Sequence, residues 1–344
     1  MSSQNVALSC DRGFTEWLSD QQISLAVSTY QTDRLLLLGR KDGDRLGALE
    51  RQFDRPMGLY VESAQAFWLS TRFQLWRFVN ALQPGQTYEG GDRLYVPRRS
   101  WITGALDIHD LVIGKDGQPV FVATAFNGLA SVSDTHNARM LWKPSFISQW
   151  VGEDRCHLNG LALRDGRPRY VTAVGPSDAV DGWREHRRGG GLMIDILNDE
   201  IVIEGLSMPH SPRFYRERLW VLNSGTGDFG FVDLATGRFE PVAFCPGYAR
   251  GLAFHGRFAI IGLSKPRDAS FNGLALEERL AAKRVAPRCG LIVVDMETGR
   301  AVHWVRFEGV IAELYDLQVL PETACPRALG FKADTIANFI VLEH

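Results

Sequence analysis

Short apolar runs alternate with turn residues along the whole chain. ISLAVSTY, RLLLLGR, AFWLST, PVFVATA, RYVTAVG, GLMIDIL, RLWVLNS, RFAIIGLS and GLIVVDM are within or close to four to eight residues, rich in β-branched and aromatic side chains, and bounded by Gly, Asp, Asn or Pro. That pattern predicts strands. Turn pairs such as Asp116-Gly117, Asp165-Gly166, Thr236-Gly237 and Thr298-Gly299 separate them. Helical periodicity is confined to Leu274 to Lys283, with weaker cases at Asp11 to Gln21 and Ser145 to Val151.

A second pattern repeats on a longer scale. A polar residue, a short apolar run and a turn recur at RPMGLYVES (Met57), IHDLVIGKDG (His109), CHLNGLALRDG (His157), MPHSPRFYRER (His210), YARGLAFHGR (Arg250) and LYDLQVLPE (Asp316). Spacings of about 40–50 residues filled with short strands predict an all-β propeller. GLALRDG, RYVTAVG, GLMIDIL and EIVIEGL thread as blade three, and the runs after His210 and Arg250 thread as blades four and five. DLQVLP leaves a last blade with one strand. ISLAVSTY, RLLLLGR and LGALERQF supply three more and lack an innermost partner. Joining the ends gives six blades and removes a free sheet edge. Seven is the competing count, because Tyr88 to Asp107 is long and loosely patterned. The reading is thus one propeller domain over 1–344, with residues 1–20 as an N-terminal extension. The long loops at 175–190 and 265–289 rise at the channel mouth, where loops in a compact scaffold are often functional.

The innermost strand of each blade faces the axis, so His109, His157 and His210 are expected to converge. Three imidazoles point to a divalent transition metal, Zn or Fe before Ca, with room for water or substrate. A bound water then reaches a pKa near 7 and serves as base or nucleophile. The plainer reading is a wet channel lined by His. Arg250 offers a fork of donors for a carboxylate or phosphate, or else pairs internally with Asp316. Tyr315 and Asp316 are candidates to move a proton. Asp110 or Asp316 can orient a His, and Asn159 sits beside His157. Arg72, Asn127, Trp183 and Asn223 are expected substrate contacts at the same mouth. Each is also an ordinary turn or loop residue. His186, Arg184, Arg187 and Arg188 share the Trp183 loop, whose default is a solvated charged surface.

Composition narrows the classes. Net charge is −2, which gives no case for nucleic acid or an anionic membrane. No apolar run approaches the roughly 20 residues that span a bilayer, and MSSQNVALSCDRGF does not read as a signal peptide. Five scattered cysteines with no CxxC pair fit a reducing cytoplasm. P-loop, dinucleotide, GxSxG and HExxH signatures are absent.

DIHDL, HLNGLAL, MPHSPR, LWVLNSGTG and GYARGLAF resemble an uncharacterised bacterial family related to six-bladed propellers, a domain of unknown function. The resemblance covers nearly the whole chain and implies the fold alone. Asn159-Gly160-Leu161-Ala162 is similar to the NGLA segment of gluconolactonase and strictosidine-synthase-like propellers, which implies Asn159 as a possible metal ligand. The chain departs from them at His157 and His210, where the lactonases favour oxygen ligands. The three-His set looks more like the zinc site in the lyase domain of the peptide-amidating enzyme. Two functions follow. One is a metal-dependent lyase or hydrolase acting on a small polar, anionic molecule. The other is a non-catalytic propeller that binds a small ligand or protein partner. Oligomeric state is left open.

Overall fold

A computed structural model describes residues 6–41, 45–265, 273–331 and 334–342. Six sheets surround one axis, antiparallel throughout except where Pro326–Ala328 runs parallel beside Arg93–Ile102. Blade one begins at Leu59–Ser63, blade two at Ile108–Ile113, blade three at Leu158–Arg164, blade four at Pro209–Tyr215 and blade five at Tyr248–His255. Blade six takes its innermost strand, Leu317–Pro321, from the C-terminal end. Its other three strands, Ile23–Thr29, Arg34–Lys41 and Arg45–Gln52, come from the N-terminal end. Ile23 pairs with Pro321 and Val27 with Leu317. The expected closure and the count of six both hold. The loosely patterned stretch before Asp107 contributes Arg93–Ile102, the outer strand of blade one. Its run of Arg and Ser on a solvent-facing edge hides the strand from a hydrophobic pattern.

Two details differ from the sequence reading, and a third agrees with it as far as the described residues reach. The stretch expected as an N-terminal extension enters the sheets: Val6–Cys10 pairs with the outer strand of blade five, and helix α1 (Phe14–Asp20) buries Phe14, Trp17 and Leu18. Ser145 to Val151 forms turns, with Ile147 buried and Ser148 tied to Asp178. Of the 265–289 loop, 266–272 lie outside the described residues, and the rest carries helix α2 (Ala275–Lys283).

Blades pack face to face through apolar clusters. Leu161, Val171 and Ile194 of blade three meet Val122 and Leu129 of blade two. Leu25, Leu36 and Leu38 of blade six meet Ile260 and Val293 of blade five. Each such side chain is worth about 1.5–3 kcal/mol of burial. A hydroxyl ring ties blade to blade around the axis. Ser28, Ser70, Thr124, Ser224 and Ser264 each follow or end a second strand. Each donates to a carbonyl at the start of the next innermost strand, respectively Met57, Ile108, Leu158, Ala249 and Leu314. Val174 stands at that place in blade three. All five cysteines are free thiols.

Candidate functional site at the propeller axis

The hydroxyl ring fixes which residues are equivalent. The carbonyls of Ile108, Leu158, Ala249 and Leu314 occupy one level, so the side chains that follow them form one ring: His109, Asn159, Arg250 and Tyr315. His210 joins it from blade four, and these residues line one small cavity of about 10 Å³, enough for about one water. His157 precedes Leu158, so it sits one step nearer the mouth than the ring. Its backbone is left-handed, with φ 50°, which turns the side chain over the ring. The three His are therefore not at equivalent positions, because the repeat seen in the sequence slips by two residues in blade three.

The imidazoles nevertheless meet. His109 and His157 lie 5.0 Å apart edge to face, and Trp183 stacks on His157 at 4.3 Å. Each Nδ1 is engaged away from its neighbours: His109 with the Asp107 carbonyl at 2.9 Å, His157 with the Asp154 carboxylate at 2.6 Å, and His210 with the Met208 carbonyl at 2.8 Å. A carbonyl only accepts, so Nδ1 of His109 and of His210 carries the proton and Nε2 is a lone pair. Burial drives the His109 pKa down to about 4, and lowers that of His210 with help from the Arg250 charge. Both rings are neutral at physiological pH.

Arg250 is half-buried on the axis. Its Nε donates to His210 Nε2 at 3.3 Å, and its guanidinium stands 4.9 Å from the Tyr315 ring and 5.7 Å from that of Tyr248. Tyr30 meets Tyr315 edge to face and bonds Glu313 at 2.6 Å. Among the described residues no carboxylate forms an ion pair with Arg250. The expected partner, Asp316, is committed elsewhere. Burial also raises the Tyr315 pKa well above its usual value, so its hydroxyl stays protonated.

Below the ring, Arg213 of blade four reaches Asp110 of blade two at 2.7 Å and Asp316 of blade six at 3.8 Å. Each aspartate also accepts two backbone N–H groups. Asp110 takes those of Leu111 and Leu161, and Asp316 takes those of Leu317 and Leu59. Blades one, three and five carry Leu59, Gly160 and Gly251 at the corresponding place. A Cβ on Gly160 would lie 2.2 Å from Pro212 Cδ, and one on Gly251 would lie 2.8 Å from the Leu317 nitrogen. Charged blades thus alternate with uncharged ones in a plug across the channel. Asp110 and Asp316, expected to orient a His or move a proton, line the axial cavity and staple blades.

The other expected contacts are spread out. Asn127 is fully buried and ties its turn to the 153–156 loop, accepting from the Arg155 and Cys156 N–H groups and donating to the Glu153 carbonyl. Asn223 accepts the Ser207 N–H. Arg72 is exposed over Phe73. Asn159 is in the ring, where Oδ1 accepts from Thr172 and its buried Nδ2 has no partner. Trp183 packs with Leu274, Leu276 and Tyr248, so the two long loops meet beside His157. Asp154, Asp107, Tyr248 and Arg213 went unnoticed in the sequence. Asp154, three residues before His157, and Tyr248, two before Arg250, were the legible signals.

The profile of a family described as Domain of unknown function (DUF4915) matches residues 12–329. The chain belongs to this family. Curated proteins supply no match to this DUF4915 chain. Its fold is similar to a chain of the nidogen/laminin complex, at 11% identity and TM-score 0.54, over 87% of this chain and 99% of that one. It is also similar to a protein of unknown function from Bacteroides caccae, at 14% identity and TM-score 0.50, over 86% and 98%. Virginiamycin B lyase from Staphylococcus aureus, in a catalytically inactive form with quinupristin, aligns over 88% and 99% at 10% identity and TM-score 0.41. The first two likenesses speak to the fold alone, and the third carries no argument. Among the described residues no helix is long and apolar enough to cross a membrane.

Proposed function

We propose that the axial mouth of this DUF4915 propeller is an enzyme site for a small anionic molecule, held on Arg250 and relieved of a proton by His157. The observation that carries the reading is the Arg250 guanidinium. It is half-buried, faced by aromatic rings and neutral imidazoles, and unpaired with any described carboxylate. A desolvated cation of this kind is stabilised when an anion arrives. His210 positions it by accepting its Nε–H, which leaves the terminal nitrogens for a carboxylate or phosphate. The free Nδ2 of Asn159 adds a donor in the same ring. The Asp154 carboxylate holds His157 with its Nε2 lone pair available, the arrangement of a general base. Tyr315, kept protonated, can give a proton but not take one.

A divalent metal on His109, His157 and His210 fits this arrangement less well. The outward-bonded Nδ1 atoms resemble the support that metal-bound His receive. Yet His210 Nε2 already accepts from Arg250, and two imidazoles are fewer than the three or four ligands zinc takes. Among the described residues, no group of three or more His, Cys, Asp or Glu stands ready to hold an ion. Elemental analysis of untagged protein separates the cases, with about one equivalent of transition metal expected only if the metal reading is right.

The test is a thermal-shift screen of small carboxylates, hydroxy acids and phosphates. At least one should raise the wild-type Tm, and Arg250→Met should abolish that rise. With the hit as substrate, His157→Gln should bind within about threefold of wild type and lose turnover by 100-fold or more. Binding that survives Arg250→Met refutes the anchor. Binding without turnover in wild type leaves the non-catalytic module as the function.

A further inference from the structure

A roomy cavity of this propeller lies away from the histidines. It opens on the opposite face, below the Arg213 plug, and has a volume of about 370 Å³. That is the size of pocket that holds a small molecule, whereas the axial cavity above holds about a single water. Its floor is Leu111, Leu161 and Leu252, all within 1% of full burial, from blades two, three and five. Its walls are the later halves of the innermost strands, including Leu163, Phe254 and Val319. The inner strands therefore change character along their length, polar at the mouth and apolar past the plug.

The charges that border this funnel are already matched. Arg213 is held by Asp110 and Asp316, and Glu62 makes two bonds to Arg77 at 2.9 Å. A charged ligand would have to give up its hydration with no counter-charge to meet it. Two polar side chains in the lining, Tyr60 and Gln318, make no side-chain hydrogen bond to a described residue. Tyr60 is half-buried and packs against the apolar clusters that hold Leu161 and Leu111.

We infer that the lower funnel is a second binding site, for an uncharged, mainly hydrocarbon molecule bearing at least one oxygen that Tyr60 can bond. It is independent of the Arg250 site, since the buried ion triad closes the channel between them. The two ends of one channel would then read opposite chemistries, an anion above and a neutral apolar body below.

The experiment uses the full chain and the neutral fluorescent naphthyl ketone prodan, an apolar body with a carbonyl oxygen. Wild type should show saturable, one-site fluorescence enhancement. Leu163→Trp, which fills the funnel, and Val319→Glu, which puts an unpaired charge in its wall, should each weaken the probe at least tenfold. Arg250→Met should leave it within twofold. Circular dichroism identifies any variant that fails to fold, and the half-buried place of both residues lets one stand in for the other. Absence of saturable binding in wild type overturns the inference. So does binding that a folded Leu163→Trp or Val319→Glu leaves unchanged, which would put the probe on another surface. Loss of anion binding in Arg250→Met with the probe still bound keeps the two sites separable, so failure of one reading is not failure of the other.

Discussion

Replacing Arg213 by Met removes the cation shared by blades two, four and six and leaves Asp110 and Asp316 facing an apolar side chain. The guanidinium lies 2.7 Å from Asp110 Oδ2, 3.3 Å from Asp110 Oδ1 and 3.8 Å from Asp316 Oδ1. Charges about 4 Å apart attract by about 4 kcal/mol at an effective dielectric of 20. Removing one member of a buried pair costs about 3–5 kcal/mol, because the partner charge is stranded. Here two carboxylates are stranded, both at most 4% exposed. The direction with pH follows from Asp316, whose pKa burial raises to about 7, with Asp110 adding and Arg213 opposing. A raised folded pKa means the carboxyl is best tolerated protonated, so its stability contribution is present at low pH and lost as pH rises through 7. Without Arg213 that loss deepens. Urea unfolding at pH 8 should show Arg213→Met destabilised by about 3–5 kcal/mol, and at pH 5 by clearly less. Arg213→Lys, which keeps the charge but not the fork, should fall between. A loss below about 1 kcal/mol, or one equal at both pH values, would refute a stabilising ionic plug.

Two further outcomes check the ring above the plug. His109 is neutral with a pKa of about 4 against 6.5 unfolded, so wild-type stability should drop by about 3 kcal/mol from this residue alone as pH falls from 6.5 to 4. His109→Gln, still surrounded by Asp107, His157, Arg250 and Tyr315, should lose that part of the slope; identical urea midpoints across the range would count against it. Gly160→Ala should cost about 1–3 kcal/mol or more, since its Cβ would meet Pro212 Cδ at 2.2 Å and Thr172 Oγ1 at 2.6 Å, whereas Gly189→Ala, with open space around it, should stay within about 0.5 kcal/mol in the same melt.

The strand pattern carried most of the fold because propeller strands announce themselves by burial, and the orphan strands at each end forced the closure. Arg93–Ile102 escaped because an outer strand need not be apolar. At the axis, sequence spacing found the right neighbourhood and the wrong register. His109 and His210 share a ring with Arg250 and Tyr315, but the residue of blade three in that ring is Asn159. Only the hydrogen bond from Thr124 to the Leu158 carbonyl fixes that level, and no spacing rule contains it. The stapling role of Asp316 was hidden for a related reason. A single Asp that serves the N–H groups of Leu317 and Leu59 looks, in sequence, like any other acid near a candidate site.

The closure of blade six governs how the protein can be made. Its strands at 23–52 are synthesised before those of the five other blades, and its innermost strand at 317–321 after them. On the ribosome, the Ile23–Thr29 edge waits unpaired while five other blades emerge, at roughly 5–20 residues per second. A nascent chain therefore carries, for tens of seconds, a sticky strand that the finished fold buries along its whole length. Its ring cannot lock until Leu317–Pro321 has left the ribosome. Premature stop codons before Leu317 should send the whole product to aggregation or proteolysis, however many intact blades precede them.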